Sequence, residues 1–242
     1  MRKVARTDVF DWLPELPDDV AQAAVVDYPW EFNANNGTGR FSGDGDGPGA
    51  YVKELEYDTT DNDLIRDVLR DVERAVESGG WIFLMCDDDT QRTFEDAVDD
   101  TDGLERHRTL IWDREHFAMG YYFRVQHYPI VTATVGKTKR YVQDRGTVIR
   151  ARKTSGGVGD ADYTHQSYPT SKPPSLYDQL LESPVLEADE VLLEPFCGSA
   201  PGAKVAGDRG LGYVGADANP DAVSIAEERL AGDTDQASVE DF

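Results

Sequence analysis

Two segments near the carboxyl end carry residue types and a spacing that could do chemistry. One reads Glu194-Pro195-Phe196-Cys197-Gly198-Ser199-Ala200-Pro201-Gly202, and the other reads Gly215-Ala216-Asp217-Ala218-Asn219-Pro220. Small residues after an apolar run let backbone approach a ligand closely. An acid about 20 residues further on, at the end of a second run, can accept from two ribose hydroxyls. The pair therefore suits a nucleotide-like ligand. A Gly/Ser turn alone is most often just a turn, and the placed acid is what gives it weight. No GxxxxGK[ST] occurs, so a triphosphate cradle is not indicated. Cys86 and Cys197 are the only cysteines, which excludes a disulfide framework or a cysteine-rich zinc site. The histidines His107, His116, His127 and His165 are dispersed and lack ligand spacing; only His165, near residues 168–173, is a candidate for substrate contact.

The elements that must position these residues follow from hydrophobic periodicity. Short apolar runs alternate with amphipathic stretches, the pattern of a parallel α/β sheet. Runs 23–26, 81–86, 109–112, 128–135, 191–196 and 212–216 read as strands. From 63 to 78 the residues Leu64, Ile65, Val68, Leu69, Val72 and Val76 fall at helical spacing, with Gly79-Gly80 as the expected stop. Further helices are expected over 90–98 and 203–207, and Asn219-Pro220 opens a last one. Gly37, Gly39, Gly43, Gly45, Gly47 and Gly49 mark a mobile loop over 31–56, and 233–242 reads as a frayed acidic tail.

The 242 residues suffice for one α/β domain with a full core. Acidic residues number 47 against 24 basic ones, a net charge of −23, with Asp exceeding Glu and Arg exceeding Lys. Because the acid is spread along the chain and not gathered into one tail, it reads as adaptation to molar salt, where screening shortens to about 3 Å. A plainly acidic soluble protein that avoids nucleic acid is the blander alternative. No apolar run is long enough for a membrane span, and the start, MRKVARTDVFDW, lacks the core of a signal peptide. A cytoplasmic protein is expected.

Against this acidic background the segment 137–153 stands out. It carries Lys137, Lys139, Arg140, Arg145, Arg150, Arg152 and Lys153 against the single acid Asp144. A solvated hairpin is the ordinary reading of such a run; phosphate binding is the other.

The motifs taken together resemble the amino-methylating DNA methyltransferases, which modify adenine N6 or cytosine N4. Glu194-Pro195-Phe196-Cys197-Gly198-Ser199-Ala200 resembles that family's DPFxGSG. Tyr168-Pro169-Thr170-Ser171-Lys172-Pro173 resembles its HPTxKP, and Asp27-Tyr28-Pro29-Trp30 resembles its [DNS]PP[YFW]. Asp8-Val9-Phe10-Asp11-Trp12-Leu13 with Leu16-Pro17-Asp18 looks like the family's lead-in segment. Leu110-Ile111-Trp112-Asp113-Arg114 with Gly120, Arg124 and His127 looks like its late-sheet strands. The order, catalytic motif first, is similar to the circularly permuted β group, and the likeness spans about residues 5–232. Departures are Tyr28 for the usual first proline, Ala200 for the second glycine, Glu194 for Asp and Tyr168 for His.

The resemblance implies a Rossmann-like, doubly wound, mostly parallel, seven-stranded α/β sheet in one domain over 1–242, circularly permuted. It implies S-adenosylmethionine as cofactor. Asp8 would accept from the adenine amine, Asp217 would bind the ribose, and Phe196, Gly198 and Ser199, with Glu194 and Asn219 beside them, would wall the site. Thr170 and Lys172 would close it. Asp27, Tyr28, Pro29 and Trp30 would hold the target base.

An aromatic amine is a poor nucleophile because its lone pair is delocalised. Acceptance of both amine hydrogens, by Asp27 and the carbonyl near Tyr28, favours a pyramidal nitrogen and in-line attack on a sulfonium methyl. A base flipped from the duplex could stack on Trp30.

On this reading 137–165 is a small target-recognition segment and duplex DNA the main partner, with a homodimer and a cognate restriction enzyme as further ones. Adenine N6 is expected over cytosine N4, because the catalytic segment begins with Asp and not Ser. The rivals are an RNA adenine-N6 methyltransferase and a catalytically inactive DNA-binding subunit of the same fold.

Overall fold

The computed structural model describes residues 1–29, 62–117, 123–152 and 171–237. The glycine-rich segment 31–56, Trp30, Thr170, His165 and Lys153 lie outside the described residues, as does the recognition segment beyond Arg152.

Nine strands form one sheet among the described residues. They are β1 (Arg2–Arg6), β2 (Ala21–Val26), β3 (Val76–Met85), β4 (Leu104–Arg106), β5 (Leu110–Asp113), β6 (His127–Val135), β7 (Val148–Arg150), β8 (Val191–Glu194) and β9 (Gly212–Asp217). Their order is β1-β9-β8-β2-β3-β6-β5-β7, with β4 paired to β6 off this path. All pairings from β1 through β3 are parallel, β6 is antiparallel to β3, β4 and β5, and β7 is parallel to β5. One described strand, β6, therefore runs against the other eight. The expected count of seven is exceeded by the three-residue strands β4 and β7, too short to leave a sequence signal.

The helices are α1 (Val9–Trp12), α2 (Ile65–Ala75), α3 (Gln91–Asp100), α4 (Pro174–Leu180), α5 (Pro201–Arg209) and α6 (Pro220–Ala237). The buried residues of α2 are Ile65, Val68, Leu69, Val72 and Ala75, one stripe at helical spacing. Strand residues Ala23, Ala24, Val25, Val26, Ile82, Leu84, Leu192 and Leu193 are wholly buried, which is why these runs lack a polar alternation. No described helix is long and apolar enough to cross a membrane.

Two boundaries differ from expectation. Helix α2 ends at Ala75, and Gly79-Gly80 lies inside β3, not at a helix cap. The pairing of β2 with β3 shifts register between Ala21 and Ala23. At this shift a Cβ on Gly80 would meet the Gln22 carbonyl at 2.6 Å, and Gly79 takes φ +89°. The glycines thus serve close strand approach. At the other end of the chain α6 continues to Ala237, through part of the tail expected to fray.

Candidate active site

The chain winds outward in both directions from the β8/β2 pair. From β8 it passes through α5 to β9, and from β2 through α2 to β3. Such a point opens a crevice beyond the carboxyl ends of the strands. The parallel register Ala23↔Leu192 and Ala24↔Leu193 brings Asp27, just past β2, beside the Glu194-Pro195-Phe196 end of β8. Asp217 ends β9 on the other side of β8, and Thr7 N–H donates to the Asp217 carbonyl at 3.1 Å, placing Asp8 at the same edge. Both segments singled out in the sequence meet here.

Asp217 is held in place by backbone donors. Gly198 N–H donates to its Oδ2 at 2.8 Å and Asn219 N–H to its Oδ1 at 2.8 Å, which fixes the carboxylate plane. Burial pushes its pKa up, against these two hydrogen bonds. Each oxygen has a second lone pair, so the group suits a vicinal diol. Asn219 itself caps α6, its Oδ1 accepting from the N–H groups of Asp221 (2.9 Å) and Ala222 (3.3 Å). Asp8 caps α1 through the Phe10 N–H at 2.9 Å. Gly198 and Ala200 both take φ +52°, so the alanine standing for the family's second glycine adopts a glycine-like backbone.

An aromatic row runs inward from Phe10 and Phe196. Phe196 meets Phe10 edge-on at 6.2 Å and Tyr28 at 5.3 Å, and Tyr28 meets Phe94 at 5.8 Å. Tyr28 is 1% exposed, so its ring is locked between two others. Packing here supplies the rigidity that a proline would otherwise give. The partly exposed Pro29 follows.

Lys172 does not stand apart on the cofactor side: its ammonium is hydrogen-bonded to Asp27 Oδ2. The neighbouring Ser171 hydroxyl accepts from Ser199 Oγ at 2.7 Å, with both serines buried. Arg229, from α6, donates to the Ser199 carbonyl at 2.7 Å. Beneath them Glu194 is fully buried and accepts from Tyr213 Oη at 2.6 Å. Burial pushes its carboxyl up to about 8, with the Asp27 charge adding to the rise and the Tyr213 bond opposing it. A Cβ on Gly202 would meet Glu194 Oε2 at 2.7 Å, so this buried carboxyl requires the glycine.

Ser171, Arg229, Tyr213 and Phe10 were not among the residues expected at the site. A strand-end acid with apolar neighbours implies a buried partner, but only the fold identifies it as Tyr213.

The basic segment is divided by the fold. Because β6 is reversed, with Trp81↔Thr134 and Met85↔Ile130, its Val135 end lies at the amino edge of the parallel strands. There Thr138 Oγ1 donates to the Gly79 carbonyl at 2.7 Å and Trp81 Nε1 to the Arg140 carbonyl at 3.1 Å. Lys137, Lys139 and Arg140 are therefore roughly 20 Å from Asp27, the length of β2.

Arg140 is also engaged by Glu190 (2.6 Å) and Glu77 (2.9 Å). Arg145 is tied to Glu182 (3.1 Å) and to the Ser183 carbonyl (2.9 Å). Of these cations, Arg140 and Arg145 are thus engaged by acids and carbonyls of the chain itself. Arg150 and Arg152 are exposed at the carboxyl end of β7, the strand that ends the sheet four places beyond β2. Arg150 Nε sits 3.6 Å from Asp113.

Cys86 and Cys197 are buried, and burial raises both thiols, so neither is a ready nucleophile. No metal-binding cluster occurs among the described residues.

A family model described as DNA methylase, of the N6/N4 type, matches residues 27–228. Among solved structures, M1.HpyAVI in complex with SAM is similar at 14% identity and TM-score 0.62, over 95% of this chain and 99% of that one. The Thermus thermophilus protein TTHA0409, in complex with S-adenosyl-L-methionine, is similar at 14% identity and TM-score 0.63. That likeness covers 96% of this chain and 94% of the other. The cytosine-N4-specific PvuII DNA methyltransferase is similar at 12% identity and TM-score 0.70, over 96% of this chain and 90% of that one. At these identities the likenesses establish the fold. No curated protein sequence matches the chain.

Proposed function

The chain belongs to the N6/N4 DNA methylase family, and from that premise we propose that it transfers a methyl group from S-adenosylmethionine to adenine N6 of a base flipped out of duplex DNA. The observation that carries this reading is the meeting of Asp27 with the Phe196–Ser199 turn at the switch point of the sheet. The residues fit the cofactor. Asp217 offers an oriented carboxylate to the ribose hydroxyls, Phe196 a partly exposed ring, and Gly198 and Ser199 a close backbone. Bound there, S-adenosylmethionine supplies an electrophilic sulfonium methyl.

The chain's own residues do the rest. Asp27 and the Tyr28 carbonyl accept the two hydrogens of the target amine, releasing the nitrogen lone pair toward the methyl. The buried Tyr28 ring fixes the direction of that carbonyl. Trp30 provides the face for the flipped base. Asp27, where a cytosine-N4 enzyme carries Ser, supports adenine as the base.

Arg150 and Arg152 position the duplex from the carboxyl end of β7, and Lys153, outside the described residues, adds a cation to the same segment. The motif order, with the strand after β1 carrying the catalytic segment and β8 the cofactor turn, supports the circularly permuted arrangement. The dispersed acidic charge supports a protein working in molar salt. Sequencing of modified bases in DNA from a host expressing the protein tests the reading. N6-methyladenine at one short motif is expected. Unmodified DNA from cells holding folded, cofactor-binding protein would overturn it.

A further inference from the structure

Between the ribose-binding acid and the target-binding acid runs an unbroken chain of contacts. Asp217 holds Gly198 N–H at 2.8 Å, and Ser199 follows Gly198 in sequence. Ser199 Oγ donates to Ser171 Oγ at 2.7 Å, and Lys172, next to Ser171, pairs with Asp27. Ser199 and Ser171 are 1% and 4% exposed, and the Lys172 and Asp27 side chains 16% and 21%, so water competes weakly with these bonds. Arg229 anchors the same turn from α6.

We propose that Lys172 is a positioning residue for Asp27: its ammonium on Oδ2 sets the carboxylate plane so that Oδ1 meets the target amine. Through Ser171 and Ser199 its own place is set by the cofactor turn. The inference rests on the proposed methyl transfer, since it gives Lys172 a role toward the acid that accepts the amine. A carboxylate free to rotate would present its lone pairs to the amine only part of the time. One fixed by a charge-assisted bond presents them at once. The pairing also explains why a lysine beside the cofactor turn need not touch the cofactor. It ties the readiness of the target side to the order of the cofactor side.

The test compares Lys172→Met and Lys172→Arg with wild type. It uses duplex DNA and S-adenosylmethionine at saturation, with affinity for S-adenosylhomocysteine measured by calorimetry. For Lys172→Met, kcat is expected to fall on the order of 10²-fold, as for a misplaced catalytic group, with S-adenosylhomocysteine affinity within about threefold. Lys172→Arg, which keeps the charge, is expected to recover much of the loss. If instead affinity falls while kcat at saturation equals that of wild type, Lys172 closes over the cofactor and the proposal is wrong. Unchanged values in both would also overturn it.

A second measurement needs no turnover. Melting temperatures of Asp27→Asn, Lys172→Met and the double variant should be non-additive, the double variant recovering part of the single losses. Additive shifts would refute the pairing. If wild type fails to methylate DNA while the cycle is non-additive, the methyltransfer reading fails and the pairing stands.

Discussion

Tyr213 donates its hydroxyl hydrogen to Glu194 at 2.6 Å where both side chains are closed to solvent. Burial raises the Glu194 carboxyl from an ordinary 4.5 to about 8 in the folded protein. The folded state therefore keeps a proton that the unfolded chain releases above about 4.5. This contribution to stability is full below the unfolded value and is lost as pH rises through the folded one. Glu194→Gln keeps hydrogen-bonding capacity without the charge, so its melting temperature should gain on that of wild type between about pH 5 and about pH 8. Parallel melting curves across that interval would show that Glu194 does not titrate there.

Asp27→Ala should remove methyl transfer by at least about 10²-fold, the loss that follows removal of one preorganised partner. On the proposed reading Asp27 serves the target base, so affinity for S-adenosylhomocysteine should change little. Single-turnover rates with bound DNA decide the point. A rate within a few-fold of wild type would remove Asp27 from its role.

Asp217→Ala should act first on cofactor binding. Loss of a charged acceptor should weaken binding by about 2 kcal/mol, roughly 30-fold. The Gly198 and Asn219 N–H groups lose their partner as well, so the cofactor turn should loosen. Unchanged calorimetric affinity would place the ligand elsewhere.

Charge reversal separates the two ends of the basic segment. Arg150→Glu with Arg152→Glu should raise the KM for DNA strongly at low salt and less at high salt, because phosphate contacts weaken as salt rises. Lys137→Glu with Lys139→Glu, at the opposite edge of the sheet, should leave that KM near the wild-type value. Arg140→Ala should lower the melting temperature, because Glu77 and Glu190 lose their partner. Equal effects of the two double reversals on KM would show that the DNA face wraps the sheet.

Salt should stabilise the fold itself. With a net charge of −23, self-repulsion acts over a Debye length of about 8 Å near 0.15 M and under about 3 Å near 2 M. The melting temperature should therefore rise between those KCl concentrations. A flat or falling curve would argue against adaptation to molar salt.

What the sequence made legible was the crevice. The segments 191–194 and 23–27 each carry an apolar run that ends in an acid, so local pattern suffices to find them. What stayed hidden depends on pairs distant in the chain. The Ser171–Ser199 bond and the Lys172–Asp27 pair form only after β8 inserts beside β2. The placement of the basic segment stays hidden for the same reason. Counting cations reveals neither the reversed direction of β6 nor the capture of Arg140 by acids from two other elements. Gly79-Gly80 resembles a helix stop because local patterning cannot sense the Gln22 carbonyl pressed against Gly80.

The seating of β8 between β2 and β9 also orders events during synthesis. The pairing of β2 with β3 can form early, from residues within the first third or so of the chain. The other side of β2 stays an open edge until Leu192 and Leu193 leave the ribosome to meet Ala23 and Ala24. An open apolar edge invites pairing with other chains, and such long-range closure is slow. A growing chain therefore holds Asp27 for most of its translation without the turn that faces it. Truncated products should be both aggregation-prone and unable to assemble the crevice.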